Sequence, residues 1–465
     1  MSAYDAVYLV LCAALLVALL RRGDSDRLFA LLVAILLVPR ELNARVGAVS
    51  VSLTDVTFLA FVAPWVARIQ LGGVREVARR LRRPEQALAF AGLAYLALAA
   101  LLNVLLERPF SVRMFARDLL VYGGFFTLLL AVLDLRLHWE RRHVLAMLCV
   151  LVGWSLVAVA IATIPRLREE YVSAHIAIHV LSSRLGFFDP SAGAGPFTEN
   201  GSLRIVDFVG GAPIGLFLLA LFPLLFTLRV SFTSAGAAAL SALVFYGSLH
   251  ALSRALALGA VVTIASCTLL YRARRAAVLA SAGCCAAVFV SPMGSQLFRR
   301  FGLLGQLDPE ASHGIRWAML KQGWRYFSEN PLLGIGIGAQ APFQHGARTV
   351  LTDGVDSLFP TVFLKLGVAG GAIFTGLFGY AVVRALRSSG WRASDAAAAE
   401  TDQDFAVPPA VAFLPFITGF LVLSLFTYPV GNVSASLFVA TALGLFLNAA
   451  APRRAYLTTA PGLRL

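Results

Sequence analysis

The chain has 465 residues, of which 59% are hydrophobic and 14% are charged. An average soluble domain has about 45–50% apolar and roughly 25% charged residues, so this composition excludes an ordinary soluble protein and indicates an integral membrane protein. Basic residues number 39 and acidic residues 25. Because the arginines are spread over many loops and do not gather on one folded domain, the positive charge does not predict nucleic-acid binding.

The apolar runs predict an all-α fold, a polytopic bundle of about 12 or 13 transmembrane helices, since about 20 residues cross a bilayer. The N-terminal segment lacks a basic region and a small-residue cleavage site, so we expect its first span to be retained. The second run is short enough to be a half-span, and Ser253 and Arg254 divide residues 236–271 into two spans. The candidate spans are 4–20, 28–39, 50–67, 87–106, 115–133, 143–164, 207–228, 236–251, 255–271, 276–291, 358–383, 408–428 and 433–450.

The distribution of arginines predicts the topology of this single transmembrane domain (1–465). Regular alternation of the spans from residue 50 onward puts the arginine-rich loops on one side, which the positive-inside rule makes cytoplasmic. This side includes a cytoplasmic loop at 384–407, whereas a smaller loop at 165–206 and a large loop at 292–356 then face the exterior. The arginine clusters are Arg68, Arg75, Arg79, Arg80, Arg82 and Arg83; Arg136, Arg141 and Arg142; Arg272, Arg274 and Arg275; Arg384, Arg387 and Arg392; and Arg453 and Arg454.

Neither the histidines of the smaller loop nor the cysteines predict a metal site. His175 and His179 share a helical face, but no third ligand is apparent and their neighbours suggest an interfacial helix. All five cysteines lie inside apolar runs, which favours packing over a disulfide framework or a metal cage.

Several arginines lie at the outer ends of spans, where charge is costly and tends to be kept for a ligand. Arg113 and Arg117 are spaced four residues apart, Arg254 stands between two apolar runs, and Arg316 opens the last part of the large loop. Converging guanidinium groups would suit a phosphate or pyrophosphate, because they offer permanent charge and paired donors. Snorkelling to lipid headgroups remains the alternative.

The large loop contains a polar, glycine-punctuated segment that begins at Arg316. Its Asn-Pro-Leu-Leu-Gly-Ile-Gly-Ile-Gly stretch, residues 330–338, predicts a tight backbone turn and a close approach to a ligand. A nucleotide-binding fingerprint would need a βαβ unit, which the sequence does not supply. The aromatic residues of this segment could stack on sugar rings or form an interfacial belt. They are Trp317, Trp324, Tyr326, Phe327 and Phe343.

In order and spacing, these elements resemble the O-antigen ligase and polysaccharide polymerase family of membrane glycosyltransferases, which are GT-C-like. The shared elements are Arg316-Trp317 with the helix that follows, the glycine-rich turn, and a span that contains Leu366-Gly367-x-x-Gly370. The early SLTDVTFLAF segment and Ser253-Arg254 add weaker matches, so that the resemblance covers residues 50–450.

The resemblance implies an inverting, metal-independent and cofactor-free enzyme that transfers a glycan from a polyprenyl (undecaprenyl) diphosphate carrier. The acceptor would be a glycan or a lipid. By position, Arg254 and Arg316 would bind the diphosphate, with Arg117, Arg113 and Arg204 as weaker additions. It also implies a bacterial inner membrane location with a periplasmic active site, contact with membrane lipids, no nucleic-acid partner and a chain-length regulator as a further partner.

The identity of the catalytic base is open. Many family members carry a histidine eleven residues before the glycine that Gly367 matches, whereas this chain has Asp356 there. Asp356 and His345 are both candidates, and the reaction could also proceed without a base. Asp356 could instead cap the helix that follows.

Several functions also stay open at this stage. The Asp356-Ser357 pair favours a polymerase of O-antigen or exopolysaccharide over a ligase that acts on the lipopolysaccharide core. A flippase or transporter and a purely structural membrane subunit are alternatives from other classes.

Overall fold

The computed structural model describes residues 3–37, 43–46, 49–80, 83–106, 111–173, 211–227, 234–249, 254–271, 275–290, 309–345, 348–352, 354–355, 357–388, 409–426 and 433–449. The helices are α1 (Ala3–Leu20), α2 (Asp24–Leu37), α3 (Leu53–Arg80), α4 (Pro84–Leu105), α5 (Val112–Asp118), α6 (Gly124–Asp134), α7 (Arg141–Thr163), α8 (Gly211–Thr227), α9 (Ser234–Leu249), α10 (Arg254–Leu270), α11 (Arg275–Phe289), α12 (Pro309–Glu329), α13 (Leu358–Ser388), α14 (Phe413–Phe426) and α15 (Val433–Ala449).

The prediction of an all-α membrane protein is confirmed, and a helix lies at each predicted apolar run. Four described helices are long and apolar enough to cross a bilayer: 84–105, 114–134, 141–163 and 358–387. The division at Ser253 and Arg254 is also confirmed, because α9 ends at Leu249 and α10 begins at Arg254. Residues 114–134 are less regular than predicted, since a π-helical turn at Leu119–Gly123 joins α5 to α6.

Within the described residues, two short antiparallel hairpins interrupt the helical fold. Strands β1 (Asn43–Val46) and β2 (Val49–Ser52) form the first hairpin, and β3 (Ala341–His345) and β4 (Arg348–Thr352) form the second. Ser52 ends the first hairpin and caps α3, because the Asp55 carboxylate accepts from the Ser52 backbone N–H at 3.0 Å and the Ser52 hydroxyl accepts from the Asp55 N–H at 3.2 Å. The Ser-Leu-Thr-Asp motif therefore has a structural role as a capping box.

Charged residues from distant parts of the chain meet at one end of the bundle. Arg68 binds both carboxylate oxygens of Asp24 at 2.9 Å, and Arg142 binds Asp26 at 2.6 Å. At the same end of their helices, Glu85 accepts a 2.8 Å hydrogen bond from Tyr380, which in turn accepts one from Arg384 at 2.7 Å. The arginine-rich loops that the sequence assigned to one side of the membrane therefore form ion pairs and hydrogen bonds at one end of the helical bundle. We call this end the basic end.

The core is built around α15, whose residues 433–447 are almost all buried. Its neighbours include α6, and Asn448 donates to Val132 O at 2.8 Å and to Leu137 O at 2.9 Å, so that it caps the end of α6 near the basic end. Stacked phenylalanines fill the space between α13, α14 and α15: Phe374, Phe378, Phe416, Phe420 and Phe446. This packed core carries the segments at the opposite end of the bundle, which we call the outer end after the topology that the sequence predicts.

Candidate active site at the glycine-rich turn

The glycine-rich turn adopts a backbone conformation that only glycine reaches without strain. Gly334, Gly336 and Gly338 have φ angles of 63°, 98° and 80°. A Cβ atom would lie 2.3 Å from Leu364 O at the first of these glycines and 2.6 Å from Asn103 Oδ1 at the second. The alternate glycines thus permit the tight turn that the sequence predicted, together with its contact with neighbouring parts of the protein, while the close approach to a ligand stays a prediction.

The turn fills a break in α13. Gly367 has φ 66° and ψ −169°, so it interrupts the helical hydrogen bonds within the span. Backbone groups of the turn replace them: Ile335 N–H donates to Leu364 O at 2.8 Å and Gly336 N–H to Lys365 O at 3.2 Å. Beyond the break, Val368 N–H donates to Pro331 O at 2.7 Å. Polar backbone inside a membrane helix needs such partners, since an unpaired group there costs several kcal/mol.

Side chains and backbone from the N-terminal half of the chain hold the turn from the other side. Asn103, near the end of α4, donates from Nδ2 to Ile337 O at 3.0 Å. Ser111, which precedes α5, donates its backbone N–H to Gly338 O at 3.2 Å. Tyr95 of α4 donates its hydroxyl to Leu366 O and also lies 3.3 Å from Leu332 O. The turn, α4, α5 and α13 consequently form one connected unit.

A buried ion pair lies at the centre of this unit. Lys365 Nζ is 2.8 Å from Asp118 Oδ2, and their side chains are 1% and 2% exposed. Lys365 also donates to Ala339 O at 2.7 Å, while Asp118 Oδ2 accepts the Gly338 N–H at 2.9 Å. Each charge is therefore matched by an opposite charge and by a backbone dipole, as a buried pair requires.

Arg117 extends this pair toward the outer surface. Its Nη2 lies 3.5 Å from Asp118 Oδ1, and its side chain is 35% exposed. Asp118 thus has one oxygen toward Lys365 and the other toward Arg117. The two cations and one carboxylate leave a net positive charge at the outer end, where the partly exposed guanidinium is suited to binding an anion.

The second hairpin and α12 cover the turn. Tyr326 of α12 donates its hydroxyl to Pro342 O at 2.6 Å, and Phe343 stacks edge-on against Tyr326 at 5.8 Å. Phe343 packs in a small apolar cluster with Val355 and Leu364. Thr361, in the first turn of α13, fixes the residues before the helix, because its hydroxyl accepts from Val355 N–H at 2.9 Å and donates to Val355 O at 2.6 Å. The polar segment is thus a folded cover on the outer end of α13.

The predicted site residues are described to different extents. Arg117 is described in full, as above. Four residues are described through their backbone alone: Arg113 in α5, Arg254 at the start of α10, Arg316 in α12 and His345 at the end of β3, where it pairs with Arg348. The residues that lie outside the described part of the chain are Asp356, Arg204, His175 and His179. The roles predicted for these residues stay predictions.

Sequence reasoning missed Lys365 and Asp118. A signal for the first was present, because Lys365 is the one charged residue in the predicted span 358–383. Asp118 follows Arg117 directly, but nothing in the sequence indicates that it faces Lys365, which is 247 residues away. Within the described residues, no group of three or more His, Cys, Asp or Glu side chains is placed to hold a metal ion.

The fold and this site define a polytopic helical membrane protein in which a polar outer segment completes a broken transmembrane helix. Residues 237–375 match the family model described as O-antigen ligase. The resemblance to the O-antigen ligase and polysaccharide polymerase family is therefore confirmed over this stretch, and it indicates a glycosyltransferase type of activity. No curated protein matches the chain.

The matched stretch and the rest of the chain meet at the site. Residues 237–375 include the glycine-rich turn, Lys365 and Gly367. Their partners Asn103 and Asp118 lie outside it, in α4 and α5. Helices α4 and α5, which precede the matched stretch, therefore pack directly against it.

Proposed function

We propose that the chain is an inverting, metal-independent glycosyltransferase that uses a polyprenyl-diphosphate-linked glycan as donor at the outer face of the bacterial inner membrane. We assign its reaction to the polymerisation of O-antigen or exopolysaccharide repeat units. The observation that carries this proposal is the O-antigen ligase match over residues 237–375, which contains the turn that is held in the break of α13.

The chemistry of transfer explains why arginines are the expected site residues. When the glycosyl bond to the diphosphate breaks, negative charge builds on the leaving oxygens, and fixed cations lower the barrier. We assign Arg254 and Arg316 to the diphosphate, with Arg117, Arg113 and Arg204 as additional contacts. The position of Arg117 beside Asp118 at the outer end supports its inclusion. No described contact bears on the other four.

On the acceptor side, we assign the proton of the attacking hydroxyl to Asp356, with His345 as the alternative. In the sequence both residues precede α13, which begins at Leu358, and His345 is the last residue of β3. Asp356 lies two residues before Leu358, next to Ser357, whose hydroxyl donates to Ser424 O at 3.2 Å.

A transporter is the alternative from another class, and one observation bears on it. The interrupted helix and the buried Lys365 are features that substrate sites of transporters also have. In transporters such a break lies near the bilayer centre, where irregular backbone lines a cavity. Here Gly367 is nine residues from the start of α13, and its neighbours are paired with the turn. We therefore interpret the break as the place where the outer segment docks onto α13 through backbone hydrogen bonds.

Transfer from a synthetic polyprenyl diphosphate oligosaccharide by the purified chain in lipid nanodiscs tests the proposal. Arg254→Ala and Arg316→Ala should abolish transfer, whereas Arg325→Ala should retain it. Arg325 is a matched control on α12, because its side chain is 80% exposed and is paired with Glu329 at 3.1 Å. Full activity in both of the first two variants would reject the proposed function.

Further arms of the same assay separate the remaining roles. Asp356→Asn and His345→Gln distinguish the two candidate bases, since only loss of the true base should lower kcat without raising KM for the donor. Addition of EDTA tests metal independence, and transfer should continue in its presence. Supplying either a carrier-linked repeat unit or a lipid core as acceptor distinguishes a polymerase from a ligase.

A further inference from the structure

One face of α12 is apolar and exposed. Trp317, Leu320 and Trp324 are 61%, 38% and 68% exposed, and they lie on one side of the helix because they are three or four residues apart. Isolated apolar residues on a surface are ordinary, but a contiguous row with two tryptophans marks a contact surface. We call these three residues the aromatic stripe.

The three sides of α12 differ in character. The side that faces the protein carries Gly323 and Tyr326, which pack toward Val355 and Phe343. The aromatic stripe occupies the next sector. The remaining sector is polar, with the exposed residues Lys321, Arg325 and Ser328. This polar sector also contains Glu329, which pairs with Arg325 at 3.1 Å. A helix with a packed side, an apolar exposed side and a charged exposed side has the pattern of one that lies along a membrane surface.

The aromatic stripe continues into the apolar outer surface of the bundle. Trp324 stacks on Phe327 at 5.4 Å, and Phe327 meets Phe363 of α13 edge-on at 6.2 Å. Just beyond, Leu332 and Val368 are 73% and 45% exposed. Farther along α13 the same kind of exposed surface continues at Val383 and Leu386, and on α4 at Leu98, Leu101 and Val104. These helices are long and apolar enough to span a bilayer, so their exposed faces meet lipid.

The expected position of the outer bilayer boundary along α13 agrees with the level at which α12 contacts this helix. Arg384 marks the basic end of α13, where it pairs with Glu85 and Tyr380. A hydrocarbon core of about 30 Å corresponds to about 20 helical residues. Counted from Arg384, the outer boundary of the core falls close to Leu364. That is the level of Phe363, which Phe327 of α12 contacts.

We propose that α12 lies in the outer headgroup region of the bilayer, with the aromatic stripe inserted among the lipids and Lys321 and Arg325 toward water and anionic headgroups. Tryptophan favours this interface because its ring has an apolar body and a polar N–H. The inference concerns the lipid surface itself and does not depend on the glycan chemistry. It also fixes the depth of the site, because Lys365 and Asp118 then lie at the edge of the hydrocarbon core.

Spin labels on α12 test this placement in the full chain. Single cysteines are introduced at position 320 and, as a matched control on the same helix, at position 325, after replacement of the native cysteines. Accessibility to oxygen, which concentrates in lipid, is compared with accessibility to a water-soluble nickel chelate in nanodiscs that contain anionic lipid. We expect oxygen to dominate at position 320 and nickel at position 325.

Each other outcome would overturn the proposal. Nickel accessibility at position 320 would mean that the aromatic stripe faces water, where it could stack on a glycan. Low accessibility to both reagents there would mean that protein covers it, as in contact with a second copy. Should the replacement of cysteines impair folding, quenching of the native tryptophans by brominated lipid decides the matter. The quenched fraction should fall in a Trp317→Tyr/Trp324→Tyr double variant and stay unchanged if the stripe lies outside the bilayer.

Discussion

Replacement of Lys365 by methionine should destabilise the protein strongly, although it exchanges a charged residue for an apolar one inside a membrane helix. The variant keeps the length of the side chain but leaves the Asp118 carboxylate buried without its cation, and it frees the acceptor at Ala339 O. Breaking one side of a buried ion pair costs about 3–5 kcal/mol. We expect the lower end, about 3 kcal/mol, because Asp118 retains the Gly338 N–H and the nearby Arg117.

A double-mutant cycle measures whether the two charges stabilise each other. In Lys365→Met/Asp118→Asn no buried charge is left, and asparagine can still accept from Gly338 N–H. The loss in the double variant should therefore be smaller than the sum of the single losses by about 2 kcal/mol. Unfolding free energies in mixed micelles with increasing denaturing detergent would provide the values. Where a single variant does not accumulate, recovery of the folded chain in the double variant gives the same comparison.

The matched control is Lys321→Met, which makes the same substitution at an exposed position of α12. It should change the unfolding free energy by less than about 0.5 kcal/mol, as surface substitutions usually do. Equal effects of Lys365→Met and Lys321→Met would refute the reasoning. So would single losses that simply add in the double variant.

Three further substitutions test the contacts of the site and the core. Gly336→Ala should lower the free energy of unfolding by about 1–3 kcal/mol, because the φ of this residue is 98° and its Cβ would collide with Asn103. The control is Gly376→Ala, which has open space around it and should be neutral. A thermal unfolding assay compares the two variants. Tyr95→Phe should lower stability by about 1–3 kcal/mol by removing the donor to Leu366 O; unchanged stability would mean that another donor serves this carbonyl. Asn448→Leu should lower the free energy of unfolding by a similar amount, about 1–3 kcal/mol, because Val132 O and Leu137 O lose the side-chain amide that donates to both. Reduced protease resistance of the loop after α6 would report this loss.

The sequence was sufficient to place the helices, because burial in lipid demands long apolar runs and the chain interrupts them with arginines. The ends of α9 and α10 follow from Ser253 and Arg254, and the glycine spacing of residues 334–338 correctly indicated a tight turn in close contact. These are local signals. Each depends on a few adjacent residues and on a simple physical rule.

The contacts of the turn could not be predicted, because they join residues that are far apart in the chain. Asn103 meets Ile337, and Asp118 meets Lys365, across more than 230 residues in each case. The break in α13 could not be predicted either, because the residues around Gly367 are as apolar as those of an uninterrupted transmembrane helix. Only the folded chain reveals that the missing hydrogen bonds of the break are made by the turn.

The break in α13 has a consequence for how the protein is made. In the folded chain, Leu364 O, Lys365 O and Val368 N–H have no helical partners, and the groups that pair with them belong to the segment that precedes α13 in the sequence. The span reaches its final depth only when that outer segment folds onto it. We therefore expect insertion of the helix to be coupled to folding of the preceding loop, so that a variant that misfolds the loop should appear in the cell as a protein with a misplaced or extracted span.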